Sequence, residues 1–400
     1  MIKIDKFSVS NFKSFKTFNL KDIKELTVLI GSNGSGKSNL LSMINFIPNL
    51  LKYGGANYLR SREKVIKDYL HSWDEDNVIK FVFSFINLEL LGESIGNLVS
   101  TSKAEEVYEY TVEIKWCEKE SLHISQEKLV NLTKNIIYDY SQLIPLARGS
   151  SYHSNLILPT KIEDSLEAKL VYNFLINVRS YSFYNNNFFF SKITPFNKEL
   201  NNLNNPDKIQ TATAVNNYGY DVGTLLWRIK ENYIHDYHKI VQIIKIMIPS
   251  FQEFVLIMKD EGVGISCKMH FSPKIISLKF LSDGTMRFIV LTCLLNSPKK
   301  MRPAILLLEE PEISLHPYAI ELLGDLIDSY TQESQIVLAT HSPALLNKVK
   351  KNSIYTLQMD NESGESSIKP INIILLKNWL EQYQIGELWR MNLLGGNPIS

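Results

Sequence analysis

Leu26-Thr-Val-Leu-Ile30 runs directly into Gly31-Ser-Asn-Gly-Ser-Gly-Lys-Ser38, and the reading of this stretch decides the fold. The first five residues form a short apolar run of the kind that fills a buried central strand. The next eight match G-x-x-x-x-G-K-[ST] at every fixed position. An apolar-periodic segment (Leu40, Leu41, Ile44) follows, so the spacing predicts a helix starting near Lys37. Strand, glycine loop and helix in that order are the context in which the motif cradles phosphate. Glycine lets the backbone N–H groups curl round an anion, and the helix N-terminus adds partial positive charge. The reading assigns Gly31, Ser32, Asn33, Gly34, Ser35, Gly36, Lys37, Ser38 and Asn39 to nucleotide binding. Lys37 is expected to reach the β- and γ-phosphates of ATP, and the Ser38 hydroxyl to bind Mg²⁺.

A second apolar run, Ala304–Leu308, delivers carboxylates in EEPE (Glu309–Glu312). Open α/β sheets bind ligands at the carboxyl ends of such strands. Glu309 stands where the usual motif has Asp and is assigned to Mg²⁺; Glu310 is the candidate for polarising an attacking water. Together these elements indicate an α/β protein with a phosphate-binding loop.

Two further segments complete the pattern. FLSDGTMRF (Phe280–Phe288) is similar to the ABC signature LSGGQ, with Ser282, Asp283 and Gly284 in the phosphate-facing places. ATHSP (Ala339–Pro343) is similar to a switch loop, with His341 as its histidine. Gly284 precedes Glu309 by 25 residues, and His341 follows Glu310 by 31. With NFKSF (Asn11–Phe15) and IGELWRMNLLGGNP (Ile385–Pro398), the chain resembles the RecF/SMC-related ABC-type ATPases, including OLD-like and Septu- or PARIS-like defence ATPases. The resemblance covers about 1–45 and 278–398. It implies an ABC-type P-loop ATPase with a mixed central sheet, an antiparallel β subdomain and an inserted helical lobe. It also implies a head-to-tail homodimer in which Ser282 and Gly284 of one copy meet the γ-phosphate held by Lys37 of the other. Glu310, His341 and Lys37 are then the catalytic set, with His341 acting in cis. A glutamine between strand and lobe is part of the family pattern; Gln126 and Gln142 fit it by residue type only.

The remaining sequence suggests the organisation. Phe81–Leu90 and Val107–Trp116 alternate with period two and predict an antiparallel subdomain near 80–116. Residues 165–178 and 221–248 are helix-periodic, Val178–Phe183 reads as a strand, and the Asn-rich stretch 185–217 reads as a loop. The expected divisions are an N-terminal ATPase half (1–160), a helical lobe for partner recognition (161–277) and a C-terminal ATPase half (278–400). No sustained heptads or long repeats occur.

Composition narrows the role. Formal net charge is +1, from 43 basic and 42 acidic residues, which gives no overall pull towards nucleic acid. A local patch, for instance at Lys348–Lys351, would be needed for that. Three cysteines without CxxC spacing make a disulfide framework or zinc site a poor reading. No signal-type or membrane-length apolar run is present, so a cytoplasmic protein is expected. No acidic Toprim-like or HNH-like stretch is read, so the resemblance implies a separate effector, such as a nuclease, gated in anti-phage defence. A RecF-like repair ATPase that binds DNA and an ATP-held scaffold with little turnover are the alternatives.

Overall fold

The fold, known from a computed structural model, is described for residues 2–53, 78–89, 104–117, 121–140, 156, 158–182, 222–259 and 262–395. A six-stranded mixed sheet lies at its centre. Its order is β15 (Ser366–Pro370), β14 (Ile354–Met359), β3 (Leu26–Ile30), β13 (Gln335–Ala339), β12 (Ile305–Glu309) and β8 (Val178–Ser182). All neighbours pair in parallel except β14 with β15. The apolar runs of the sequence are therefore its middle strands. Alternate residues enter opposite cores: Leu29, Leu307 and Val337 pack on one side, and Val28, Leu306, Leu308 and Leu338 on the other. Burial on both faces explains why these strands read as continuous rather than alternating apolar runs.

The first face is covered by α1 (Lys37–Tyr53), α2 (Leu166–Ile176) and a second, antiparallel sheet. That sheet has the order β2 (Phe15–Leu20), β1 (Ile2–Phe12), β4 (Val78–Glu89), β5 (Ala104–Cys117), β6 (Ser121–Asn131) and β7 (Ile136–Asp139). It is larger than the subdomain expected near 80–116, because both strands of residues 2–20 join it. Phe7, Phe12, Phe81 and Phe83 interlock in its core, with Phe12 edge-on to Phe81 at 5.6 Å between centroids. Such offset and edge-on pairs add to the area that aromatic rings bury.

The other face carries α3 (Val222–Asn232), α4 (Ile234–Met247), α5 (Asp283–Leu295), α6 (Pro317–Thr331), α7 (Pro343–Lys348) and α9 (Ile385–Arg390), with α8 (Lys377–Leu380) just before α9. Residues 161–277 were expected to be a helical lobe, and the structure differs there. β8 belongs to the central sheet. Residues 251–277 form a three-stranded antiparallel sheet of β9 (Phe251–Lys259), β10 (Gly262–Met269) and β11 (Ser272–Ser277). Phe254 and Cys267 point inward from it and Glu253 and Lys268 outward. That period-two alternation was present in the sequence but is short. The Asn-rich stretch 185–217 and Gln142 lie outside the described residues, as do residues 396–398.

Gln335 joins the two six-stranded sheets. Only 3% exposed, it accepts from the Ile4 N–H at 3.0 Å and donates to the carbonyls of Ile4 at 2.9 Å and Ile23 at 3.3 Å. Removing a buried side chain of this kind leaves backbone groups unpaired in a dry interior. Gln335→Ala is expected to lower stability by about 2 kcal/mol, measurable as a drop in the urea midpoint. An unchanged midpoint would mean that water replaces the amide without cost.

Candidate functional site

The registers of the central sheet bring three strand ends together. Glu309 pairs with Ala339, and Ala339 with Leu29. The chain therefore leaves the sheet at the same edge three times: into the glycine loop after β3, into Glu310 after β12 and into Thr340–His341 after β13. A cavity of about 710 Å³ opens there, lined by Asn33, Gly34, Gly36, Lys37, Ser38, Asn39, Glu310 and His341.

Two glycines shape the loop. Gly34 and Gly36 have φ of +82° and +104°, a region that L side chains avoid. A Cβ on Gly36 would lie 2.5 Å from Ser366 Oγ, because β15 packs directly behind the loop. Asn39 is tied to the β1–β2 turn by a 2.9 Å bond to Ser14 Oγ, and Lys13 of the same turn donates to Ser42 at 3.1 Å. The NFKSF stretch therefore buttresses the first turns of α1.

Lys37 is 6% exposed and folds back on the loop, donating to the carbonyls of Gly31 and Ser32 at 2.8 Å each. Burial pushes its pKa down to about 8, against the opposing charges of Glu310 and Glu309. Gly31, Ser32 and Ser35 thus hold the lysine rather than line the cavity. Among the described residues, Glu309 is not part of the wall either, but its charge acts on Lys37 from the end of β12.

Across the cavity, Glu310 has a φ of 45°, a strained value for a non-glycine residue. Its N–H donates to Ala339 O at 2.8 Å, the last bond of the β12–β13 ladder, and the positive φ then turns the chain out of β12. His341 Nε2 lies 3.4 Å from Glu310 Oε1. Burial lowers the His341 pKa, and the Lys37 charge acts in the same direction while Glu310 opposes it, so the ring is neutral at neutral pH. Glu312, to which sequence reasoning gave no role, is buried behind this pair. Its Oε1 accepts from Thr340 Oγ1 at 2.6 Å and from the His341 N–H at 3.0 Å. The third carboxylate of EEPE and the hydroxyl of THSP were the available signal.

The signature-like segment is elsewhere. Ser282 caps α5, accepting from the Thr285 N–H at 3.3 Å, and a Cβ on Gly284 would meet Ser314 O at 2.2 Å. Among the described residues, Ser282, Asp283 and Gly284 contribute nothing to the cavity wall of their own chain. Gln126 sits in β6, paired opposite Glu113 in the antiparallel sheet, and is also not part of that wall. Lys348 lies within 4 Å of both Glu321 and Asp325, at 3.8 and 3.9 Å, and Lys350 is 3.4 Å from Asp328. α6 thus supplies acids to the lysine run that the repair reading would need as a basic patch.

The donor set suits Mg²⁺ beside a nucleotide. A hydroxyl from Ser38 and a carboxylate from Glu309 leave most positions to phosphate oxygens and water, which is how this ion is usually held. Among the described residues no cluster of His, Cys, Asp or Glu could hold a metal alone.

Residues 26–347 match the family model described as "AAA domain, putative AbiEii toxin, Type IV TA system". The chain belongs to this family of AAA domains. No curated protein matches it. Among solved structures it is similar to an Smc head bound to the C-winged helix domain of ScpA. That similarity has a TM-score of 0.55 and 15% identity, and covers 93% of this chain and 99% of the other. It is also similar to a Pyrococcus furiosus Smc head domain with an extended coiled coil, bound to the C-terminal domain of ScpA. There the TM-score is 0.53 and the identity 14%, covering 96% and 99%. Its fold is that of the SMC head domain. No helix among the described residues is long and apolar enough to cross a membrane.

The lowered Lys37 pKa has a measurable consequence. Phosphate binding favours the charged lysine, so its pKa rises in the complex. Below pH 8 the lysine is already charged and affinity is flat; above it, binding must take up a proton. Nucleotide affinity is therefore expected to weaken by up to about tenfold per pH unit above that value. Calorimetry in buffers of different ionisation enthalpy would show proton uptake at pH 9 and little at pH 7. Equal uptake at both would contradict this assignment.

Proposed function

We propose that the protein hydrolyses ATP as a head-to-tail dimer, and that closure and opening of this dimer gate a separate effector, a nuclease by preference, in prokaryotic anti-phage defence. The carrying observation is the division of the chemistry. Lys37, Glu310 and His341 share one cavity, whereas Ser282–Gly284 are exposed or partly exposed outside it. One chain holds phosphate on one side only, and a second copy can supply the missing wall.

In this reading Lys37 leaves the Gly31 and Ser32 carbonyls for the β- and γ-phosphate oxygens, exchanging neutral acceptors for charged ones. The backbone of Asn33–Gly36 wraps the phosphates. Ser38 and Glu309 would hold Mg²⁺, and the ion would supply charge neutralisation at the phosphates. The Glu310 carboxylate orients the attacking water, and neutral His341 offers an imidazole to the γ-phosphate. Phosphoryl transfer needs little more than positioning and charge stabilisation, so these groups suffice. Ser282 and Gly284 of the second copy close the site over the γ-phosphate. Hydrolysis removes that bridging group, and the closed state loses its support. The defence setting and the effector rest on the resemblance of the motifs, and a cytoplasmic setting accompanies them.

The test is ATP turnover and particle mass for wild type and Glu310→Gln, with and without Mg-ATP. The variant is expected to bind ATP, lose turnover by about a hundredfold or more, and accumulate as a dimer or larger assembly. A variant that hydrolyses like wild type would remove Glu310 from its role. A wild type that assembles with ATP yet does not turn it over would leave the scaffold reading.

A further inference from the structure

Glu312 is two residues beyond Glu310 on the loop between β12 and α6, yet it points inward and is only 9% exposed. A single oxygen, Oε1, accepts both the Thr340 hydroxyl at 2.6 Å and the His341 backbone N–H at 3.0 Å. Thr340 Oγ1 in turn accepts the Ser342 N–H at 3.0 Å, and Ser342 Oγ caps α7 through the Leu345 N–H at 3.2 Å. Residues 340–342 are thus organised around one carboxylate. The His341 ring, which reaches Glu310 across 3.4 Å, projects from that backbone.

The arrangement is not the cheapest way to fill the space. Glu312 Oε2 is buried with no hydrogen-bond partner among the described residues. Burial also pushes the carboxyl pKa up. A half-satisfied buried carboxyl costs stability that a packed apolar side chain would not, and such groups persist where they fix a geometry.

The two residues after Glu312 grip a different element. Ile313 O accepts from Arg287 of α5 at 2.9 Å, and Ser314 O fills the space that a Cβ on Gly284 would occupy, at 2.2 Å. Three consecutive residues therefore hold the His341 loop on one side and the first turns of α5 on the other. The backbone between them is too short to absorb a shift of either.

We propose that Glu312 is a positioning residue. It clamps the His341 loop by its acceptor oxygen and, through Ile313 and Ser314, keeps that loop in register with the N-terminus of α5. This rests on the hydrolytic reading above, in which α5 is where a second copy acts. What the clamp requires is an acceptor, not a charge. Glutamine keeps the acceptor, whereas alanine removes it.

Two measurements on the full chain test this: hydrogen–deuterium exchange of the peptide containing His341, and steady-state ATP hydrolysis. Glu312→Ala is expected to raise exchange of that peptide about tenfold. It is also expected to lower kcat about tenfold with little change in KM. Glu312→Gln is expected to restore both to within about threefold of wild type. Should the alanine variant not fold, Thr340→Val removes one donor while keeping the packing, and should raise exchange in the same peptide. Unchanged exchange in Glu312→Ala or, failing that, in Thr340→Val would overturn the clamp. A glutamine variant as defective as alanine would overturn the acceptor argument. A wild type without turnover would sink the hydrolytic reading alone, and the exchange comparison would still decide the role of Glu312.

Discussion

Everything at the candidate site depends on the parallel register of three strands. β3, β13 and β12 run side by side with Leu29, Ala339 and Glu309 level with one another. Their ends therefore release a glycine loop, a histidine and two carboxylates at one sheet edge. The sheet can keep that register because its middle strands are apolar on both faces and buried between two cores. A slip of one residue would exchange side chains between two differently packed cores and misalign Leu29, Ala339 and Glu309. The polar groups of the cavity are then carried by the ends of buried central strands.

Rigidity has a local cost. Glu310 sits at positive φ, Lys37 is buried with no carboxylate in direct hydrogen bond to it, and Glu312 is buried with half its carboxyl unpaired. Each is a small loss that a fold selected for stability alone would avoid. They cluster around one cavity, and the first two become intelligible when a polyanion is the ligand. Lys37 then trades carbonyls for phosphates, while Glu310 and His341 already face the space where the γ-phosphate would lie.

Much of this was legible in the sequence, because it is written in short-range patterns. The glycine loop and the apolar strands before it and before EEPE declare themselves within about ten residues. The three-stranded sheet of 251–277 was missed. Its inward residues, Phe254, Leu256 and Cys267, alternate over too few positions to stand out beside two long amphipathic helices. The membership of β1 and β2 in the antiparallel sheet was missed for another reason: β1 pairs with β4 across an intervening stretch of sequence, which no local pattern encodes. Glu312 was hidden likewise, since its partners Thr340 and His341 are nearly thirty residues away (28 and 29) and meet it only through the β12–β13 pairing. The IGELW segment is explained only by tertiary contact. A Cβ on Gly386 would stand 2.1 Å from Pro343 O, and its N–H donates to Asn347 Oδ1 at 2.8 Å, so this segment closes over the helix that follows His341.

The central claim is that two chains together complete each site. Mixing two inactive variants tests it most directly: Lys37→Ala, which loses the phosphate grip, and Ser282→Arg, which places a bulky side chain on the exposed face outside the cavity. Each alone should fail to hydrolyse ATP. In a mixed dimer one of the two sites draws Lys37 from one chain and an unaltered α5 N-terminus from the other, so turnover should reappear on mixing. If the mixture stays as inactive as its components while both variants fold and still associate, the site is contained within one chain and the two-chain account is wrong.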